Sequence, residues 1–200
     1  MTAALPARPV AAAAAWIAGA AAYLVAEAVT AAQRPAYSYL DDYISDLGVP
    51  GQPLAALMNT GFAVQGAMFL LGAVLATGGR HRALVACAAL NALGNVLIAA
   101  VPAGAGPLHV VGALLAIAGG NAAALAGASL SGRRTYRRAA RALGVTGLVC
   151  LAVLGTYAWV DVQVVPAPVW ERAAVYPILA WQVCAAAVVL ADRRVTASAG

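Results

Sequence analysis

With 64% of its 200 residues hydrophobic, 10% charged and a mean hydropathy of +0.85, the chain lies far from the composition of a water-soluble domain, which runs near half apolar and a quarter charged. Its twelve basic residues are all arginine and outnumber seven acids, for a net charge of +5. Long stretches nevertheless carry no charge, so the balance gives no nucleic-acid signal and leaves the lipid bilayer as the chain's principal partner.

Apolar runs at 10–30, 54–77, 84–101, 108–130, 142–160 and 173–191 predict an all-α polytopic bundle of six transmembrane helices. Each is long enough to cross a hydrocarbon core of about 30 Å at about 1.5 Å per residue. Little chain remains for anything else, so residues 1–200 read as one integral membrane domain. Within the spans Glu27 is the only formal charge, and Pro177 is the only proline. The first span has an alternative reading as a cleavable signal, with Arg8 before the apolar run and small residues near Thr30–Ala32.

The loop after span one, SYLDDYISDLGVPGQP from Ser38, carries the densest local pattern. Ser38 with Asp41 three residues on is a short acidic capping box, and Gly48-Val49-Pro50 is a helix stop. At about 100° per residue, Tyr37, Leu40, Ile44 and Leu47 share one face, while Asp41, Asp42, Ser45 and Asp46 fall on the other. This predicts a short amphipathic helix lying on the outer membrane surface. Its acids either solvate the outer face or, crowded together, hold a cation or perturb one another for acid/base chemistry.

Span two holds Asn59 and Gln65, span three Asn91 and Asn95, and span four Asn121. Amides in hydrocarbon need partners, so they either bond neighbouring helices or line a polar cleft, with Asn59 and Asn95 in the outer half. His109 follows Pro107 at the start of span four, where helix N-terminus and membrane boundary both disfavour a cation. A neutral imidazole there is a candidate proton acceptor facing Asp42, Ser45 and Asp46. His81, between Arg80 and Arg82, reads as solvated. Cys87, Cys150 and Cys184 lie in spans at no metal-like spacing and read as packing residues.

Arginine placement sets the direction of the spans. Arg8, Arg80, Arg82, Arg133, Arg134, Arg137, Arg138, Arg141, Arg193 and Arg194 fall on one side through six crossings, and only Arg34 and Arg172 on the other. The expected location is therefore the cell membrane, with both termini cytoplasmic. Of the acids, only Asp192 is then cytoplasmic; Glu27, Asp41, Asp42, Asp46, Asp161 and Glu171 lie toward the outside. Tyr37, Tyr39, Tyr43, Tyr157, Trp159, Trp170 and Tyr176 cluster at the same outer boundary, where amphipathic rings prefer to sit.

No HExxH, CxxC, GxSxG or Gly-rich phosphate loop occurs. With one outer histidine, a three-histidine zinc site cannot form from this chain. No metal ligand set is assigned and the sequence points to no particular cofactor.

Three stretches, YISDLG at Tyr43–Gly48, NALGNVLIAAVP at Asn91–Pro102 and LHVVGALLAIAGGN at Leu108–Asn121, resemble the bacterial six-helix membrane proteins of domain-of-unknown-function family 998. These are grouped with FRAG/DRAM-like membrane proteins. The resemblance runs from span one to span six and implies six helices without a known activity. By that resemblance Ser45, Asp46 and His109 are the place to look for a site. The family pattern often carries an acid shortly after the proline; here that stretch is Ala103-Gly104-Ala105-Gly106, which weakens any site needing a carboxylate in that loop.

Two functional readings follow. The first is a non-catalytic membrane protein, structural or small-solute-handling, in which the polar groups cap and join helices. The alternative is a lipid-modifying or lipid-binding membrane enzyme with an outward-facing Asp/Ser/His pocket for a lipid or small molecule. In that reading Asp42, Ser45, Asp46 and His109 are candidate catalytic groups, and Asn59, Asn95, Asn121, Glu27 and Asp41 are candidate binding groups. The cytoplasmic halves of the spans are poor in polar residues, which argues against a route through the bundle.

Overall fold

Apolar runs this long can satisfy their backbone in hydrocarbon only as helices, and six form: α1 (Ala7–Ala32), α2 (Ala55–Thr77), α3 (Arg82–Ala100), α4 (Pro107–Gly127), α5 (Arg134–Thr156) and α6 (Ala167–Ser198). The computed structural model describes residues 7–157, 159 and 164–198. Asp161 and the last residue of the expected fifth span, Val160, lie outside the described residues. Each helix holds a stretch of 19 to 26 residues long and apolar enough to cross a membrane, the architecture of a multi-pass membrane protein. Among the described residues there are no strands.

Consecutive helices pack against each other, α6 returns to α1, and α4 also touches α6 across the ring. The two ends differ in chemistry. One, the acidic end, carries Asp41, Asp42, Asp46 and Glu171; the other, the arginine end, carries the α2–α3 and α4–α5 connections. Toward the arginine end the core is closed by aromatic rings, with Trp16 and Phe69 edge-on to Trp181 at centroid distances of 5.5 and 5.6 Å. Glycine lets helix backbones meet where a larger residue would hold them apart. A β-carbon on Gly94 of α3 would stand 2.5 Å from the Gly112 carbonyl oxygen of α4, and one on Gly119 of α4 would stand 2.7 Å from the Asn91 amide nitrogen of α3.

Three local expectations change. α5 starts at Arg134 and α6 at Ala167, well before the apolar runs at 142 and 173. Glu171 and Arg172 therefore lie in the opening turns of α6 and not in a loop. The amphipathic helix expected on Ser38–Gly48 is reduced to a single 3-10 turn, Ser45–Gly48, preceded by turns. His81, half-buried, also caps α3: its Nδ1 accepts from the Leu84 amide at 3.3 Å, and its Nε2 lies 2.8 Å from Ser129 Oγ.

Candidate functional site

The loop between α1 and α2 shows why no longer helix forms there. Ser38 Oγ donates to Asp41 Oδ2 at 2.7 Å and accepts from the Asp41 amide at 3.3 Å, while the Ser38 amide donates to Asp42 Oδ2 at 2.8 Å. The Tyr43 amide donates to Asp46 Oδ2 at 2.9 Å. Side-chain oxygens thus take the amides that a continuing helix would use, which is how Ser and Asp favour turns over helix interiors. The expected apolar face also splits: Ile44 and Leu47 are buried among α1, α2 and α6 residues, whereas Leu40 is 63% exposed.

Two consecutive residues of α6 fix this loop in place. Glu171 Oε2 accepts from the Ile44 amide at 2.6 Å. Arg172, 7% exposed, donates to the Asp42 carbonyl at 2.7 Å and to the Tyr37 hydroxyl, and its guanidinium carbon lies 5.1 Å from the Tyr39 ring centroid. Its Nε stands 3.5 Å from buried Glu27, whose other partner is the Tyr176 hydroxyl at 3.0 Å. Burial pushes the pKa of the Tyr37 phenol well up from its ordinary value, against the lowering effect of Arg172, so it stays neutral; it donates to the Tyr43 carbonyl at 3.2 Å.

Pinned this way, the Ser45–Gly48 turn overhangs a cleft of about 580 Å³ between α4, α5 and the start of α6. The polar rim is Tyr43, Ser45, Asp46, His109, Tyr157 and Glu171; the deeper wall is apolar, with Val110, Leu114 and Ile117 facing Leu151 and Leu154. Val110 and Leu114 also lie on the outside of the bundle, 57% and 48% exposed, so the cleft opens sideways as well as toward the acidic end. The rim has two carboxylates, Asp46 and Glu171, and no arginine; neither acid is in an ion pair among the described residues. Beneath it lies a smaller pocket of about 40 Å³, lined by Tyr23, Gln65, Asn91 and Asn95 and sharing Ser45, His109 and Glu171 with the cleft.

His109, buried on α4, lies 2.7 Å through Nδ1 from the Val101 carbonyl oxygen. A carbonyl only accepts, so Nδ1 carries the proton, and in the neutral ring Nε2 is left with its lone pair. Ser45 Oγ makes no hydrogen bond among the described residues and lines both cavities. Among the described residues, no three His, Cys, Asp or Glu side chains come together as a metal-binding group.

The residues singled out from sequence separate into groups. Ser45, Asp46 and His109 line one cleft, and Asn95 lines the pocket below it. Asp41 and Asp42 are turned into the Ser38 turn, Asp42 also pairing with Arg34 at 3.5 Å, and neither lines the cleft. Asn59 Nδ2 donates to the Gly48 carbonyl at 2.9 Å and secures the 3-10 turn. Asn121 Nδ2 donates to the Ile117 carbonyl on its own helix and to the Ala174 carbonyl of α6, both at 2.9 Å, and so ties α4 to α6. Glu27 serves Arg172. Sequence reasoning missed Glu171 as a member of the rim; Pro166 and Pro168 were the available signal, because proline favours the first turn of a helix and would have put Glu171 inside α6. It also missed Gln182, which accepts from Gln65 at 3.1 Å and donates to the Trp16 carbonyl at 3.3 Å, extending a line of amides that begins at Asn95.

Fold and site together define a six-helix membrane bundle with a polar-rimmed cleft at its acidic end. Residues 17–188 match the family model described as protein of unknown function (DUF998), and the chain belongs to that family. No curated protein and no solved structure matches the chain.

Proposed function

We propose that the protein binds an amphiphile, its amine- or ammonium-bearing headgroup at the rim and its apolar portion between α4 and α5. One observation carries the reading: the same cleft joins an arginine-free rim containing two carboxylates to an apolar wall open to the side of the bundle. A volume of about 580 Å³ falls within the usual range of small-ligand sites, roughly 300–1,000 Å³. Tyr43 and Tyr157 add aromatic rings of the kind that attract ammonium groups. A carrier route is disfavoured because the amide line ends at the Trp16 carbonyl, against the aromatic seal. The arginine distribution supports an orientation with both termini cytoplasmic and the cleft in the outer leaflet of the cell membrane.

The test is native mass spectrometry of the full chain from nanodiscs containing phosphatidylethanolamine and phosphatidylcholine. Leu114→Trp places a large ring in the cleft from a lipid-facing position and should cut lipid retention roughly tenfold, about 1.4 kcal/mol. Asp46→Asn should selectively weaken retention of the amine lipid. Unchanged retention in both variants would sink the proposal.

A second reading, lipid modification, draws on the free Nε2 of His109 and the unbonded Ser45 hydroxyl in the same cleft. It requires Ser45→Ala to abolish turnover of a bound lipid while leaving its retention intact; equal lipid composition with either protein after incubation would dismiss it.

A further inference from the structure

A second concavity lies at the arginine end, in the corner between the Ala128–Leu130 3-10 turn and the first two turns of α5. Its volume is about 310 Å³, and Leu125, Ala128, Ser131, Arg137 and Arg141 line it. Arg137 and Arg141 stand four residues apart, which puts them on one face of α5. Both are exposed, and neither makes an ion pair among the described residues.

The nearby acid does not neutralise them. Asp192 accepts from Ser131 Oγ and from Arg133 Nε, both at 2.5 Å, which occupies each of its oxygens. α5 also starts without a side-chain cap, so its unpaired amides and helix dipole add positive potential next to the cavity. An apolar floor distinguishes this cavity from a wholly polar basic patch. Arg141 is the last charge before the apolar stretch of α5, and Leu125 and Ala128 supply an apolar floor. The guanidinium groups therefore lie where hydrocarbon gives way to headgroups, and arginine is the side chain best shaped to hold a phosphate through paired N–H donors.

We infer that this cavity binds the phosphodiester of an anionic membrane lipid, with Arg137 and Arg141 holding the phosphate and Leu125 and Ala128 lying against the start of its apolar portion. The site is separate from the cleft at the acidic end and takes a ligand of opposite charge.

The test uses the full chain in nanodiscs of phosphatidylcholine with phosphatidylglycerol, reading retained lipid by native mass spectrometry. Wild type should retain phosphatidylglycerol over phosphatidylcholine. Arg137→Gln with Arg141→Gln should lower that retention roughly tenfold or more, the scale of losing charge-assisted hydrogen bonds to a phosphate. Arg134→Gln with Arg138→Gln removes the same charge from the same helix outside the cavity and should cost only the diffuse attraction, a clearly smaller loss than that of the cavity pair. Equal loss in the two double variants would replace the site with diffuse charge attraction, and no loss in either would overturn it outright. Displacement of the lipid by millimolar inorganic phosphate would overturn the lipid assignment in favour of a soluble phosphate ligand. Glutamine at exposed helical positions preserves helix propensity, and unchanged thermal melting confirms that each variant folds.

Discussion

Arg172 holds the loop backbone through Asp42, the phenol of Tyr37 and the carboxylate of Glu27 at once. Removing one member of a buried pair leaves the other charge without compensation, at a cost of about 3–5 kcal/mol. Arg172→Met should therefore destabilise the protein by about 3 kcal/mol in detergent unfolding and expose the α1–α2 loop to protease. Adding Glu27→Gln should recover part of the stability, because no buried charge is then left unpaired; a double variant no more stable than Arg172→Met would contradict this account. Half of the interaction was legible in the sequence. Glu27 stood out as the lone charge inside a span, but Arg172 was assigned to a loop, because hydropathy marks where hydrocarbon begins and not where a helix does. His109 was legible as a residue of the start of α4. Its tautomer was not, since that depends on the Val101 carbonyl eight residues earlier.

Among elements, the α3–α4 contact is the closest to backbone on backbone. Gly94→Ala puts a methyl against the Gly112 oxygen and the Ala116 backbone, and neither can yield as a side chain would. Overpacking of this kind costs about 1–3 kcal/mol, and a lowered unfolding midpoint in the same detergent would show it. The same substitution should loosen the pocket beneath the cleft, which Asn91 and Ala116 help to line. The six helices could be read from apolar run length alone, because in a bilayer length and hydropathy suffice. Their ends could not. Arg134–Arg141 continues α5 past the apolar stretch, since arginine is a good helix former wherever its head can reach water. The outer surface helix failed for the converse reason: the side-chain oxygens of Ser38, Asp42 and Asp46 sit close enough to take backbone amides themselves.

At the scale of the molecule, the bundle has two unlike ends, and the proposed orientation makes a direct prediction. In a chain with its three native cysteines replaced by alanine, Ser45→Cys should react with a membrane-impermeant maleimide added to intact cells. Ser129→Cys should react only after permeabilisation. The reverse pattern would invert the topology and place the cleft in the inner leaflet. The sideways opening between α4 and α5 sets how occupancy is to be counted. Val110 and Leu114 belong to the cleft wall and to the outer surface of the bundle alike, so the amphiphile proposed above would arrive by diffusing within its own leaflet. The governing variable is then its mole fraction among neighbouring lipids, so diluting the sample with buffer should leave binding unchanged, whereas adding inert lipid or detergent should titrate it away.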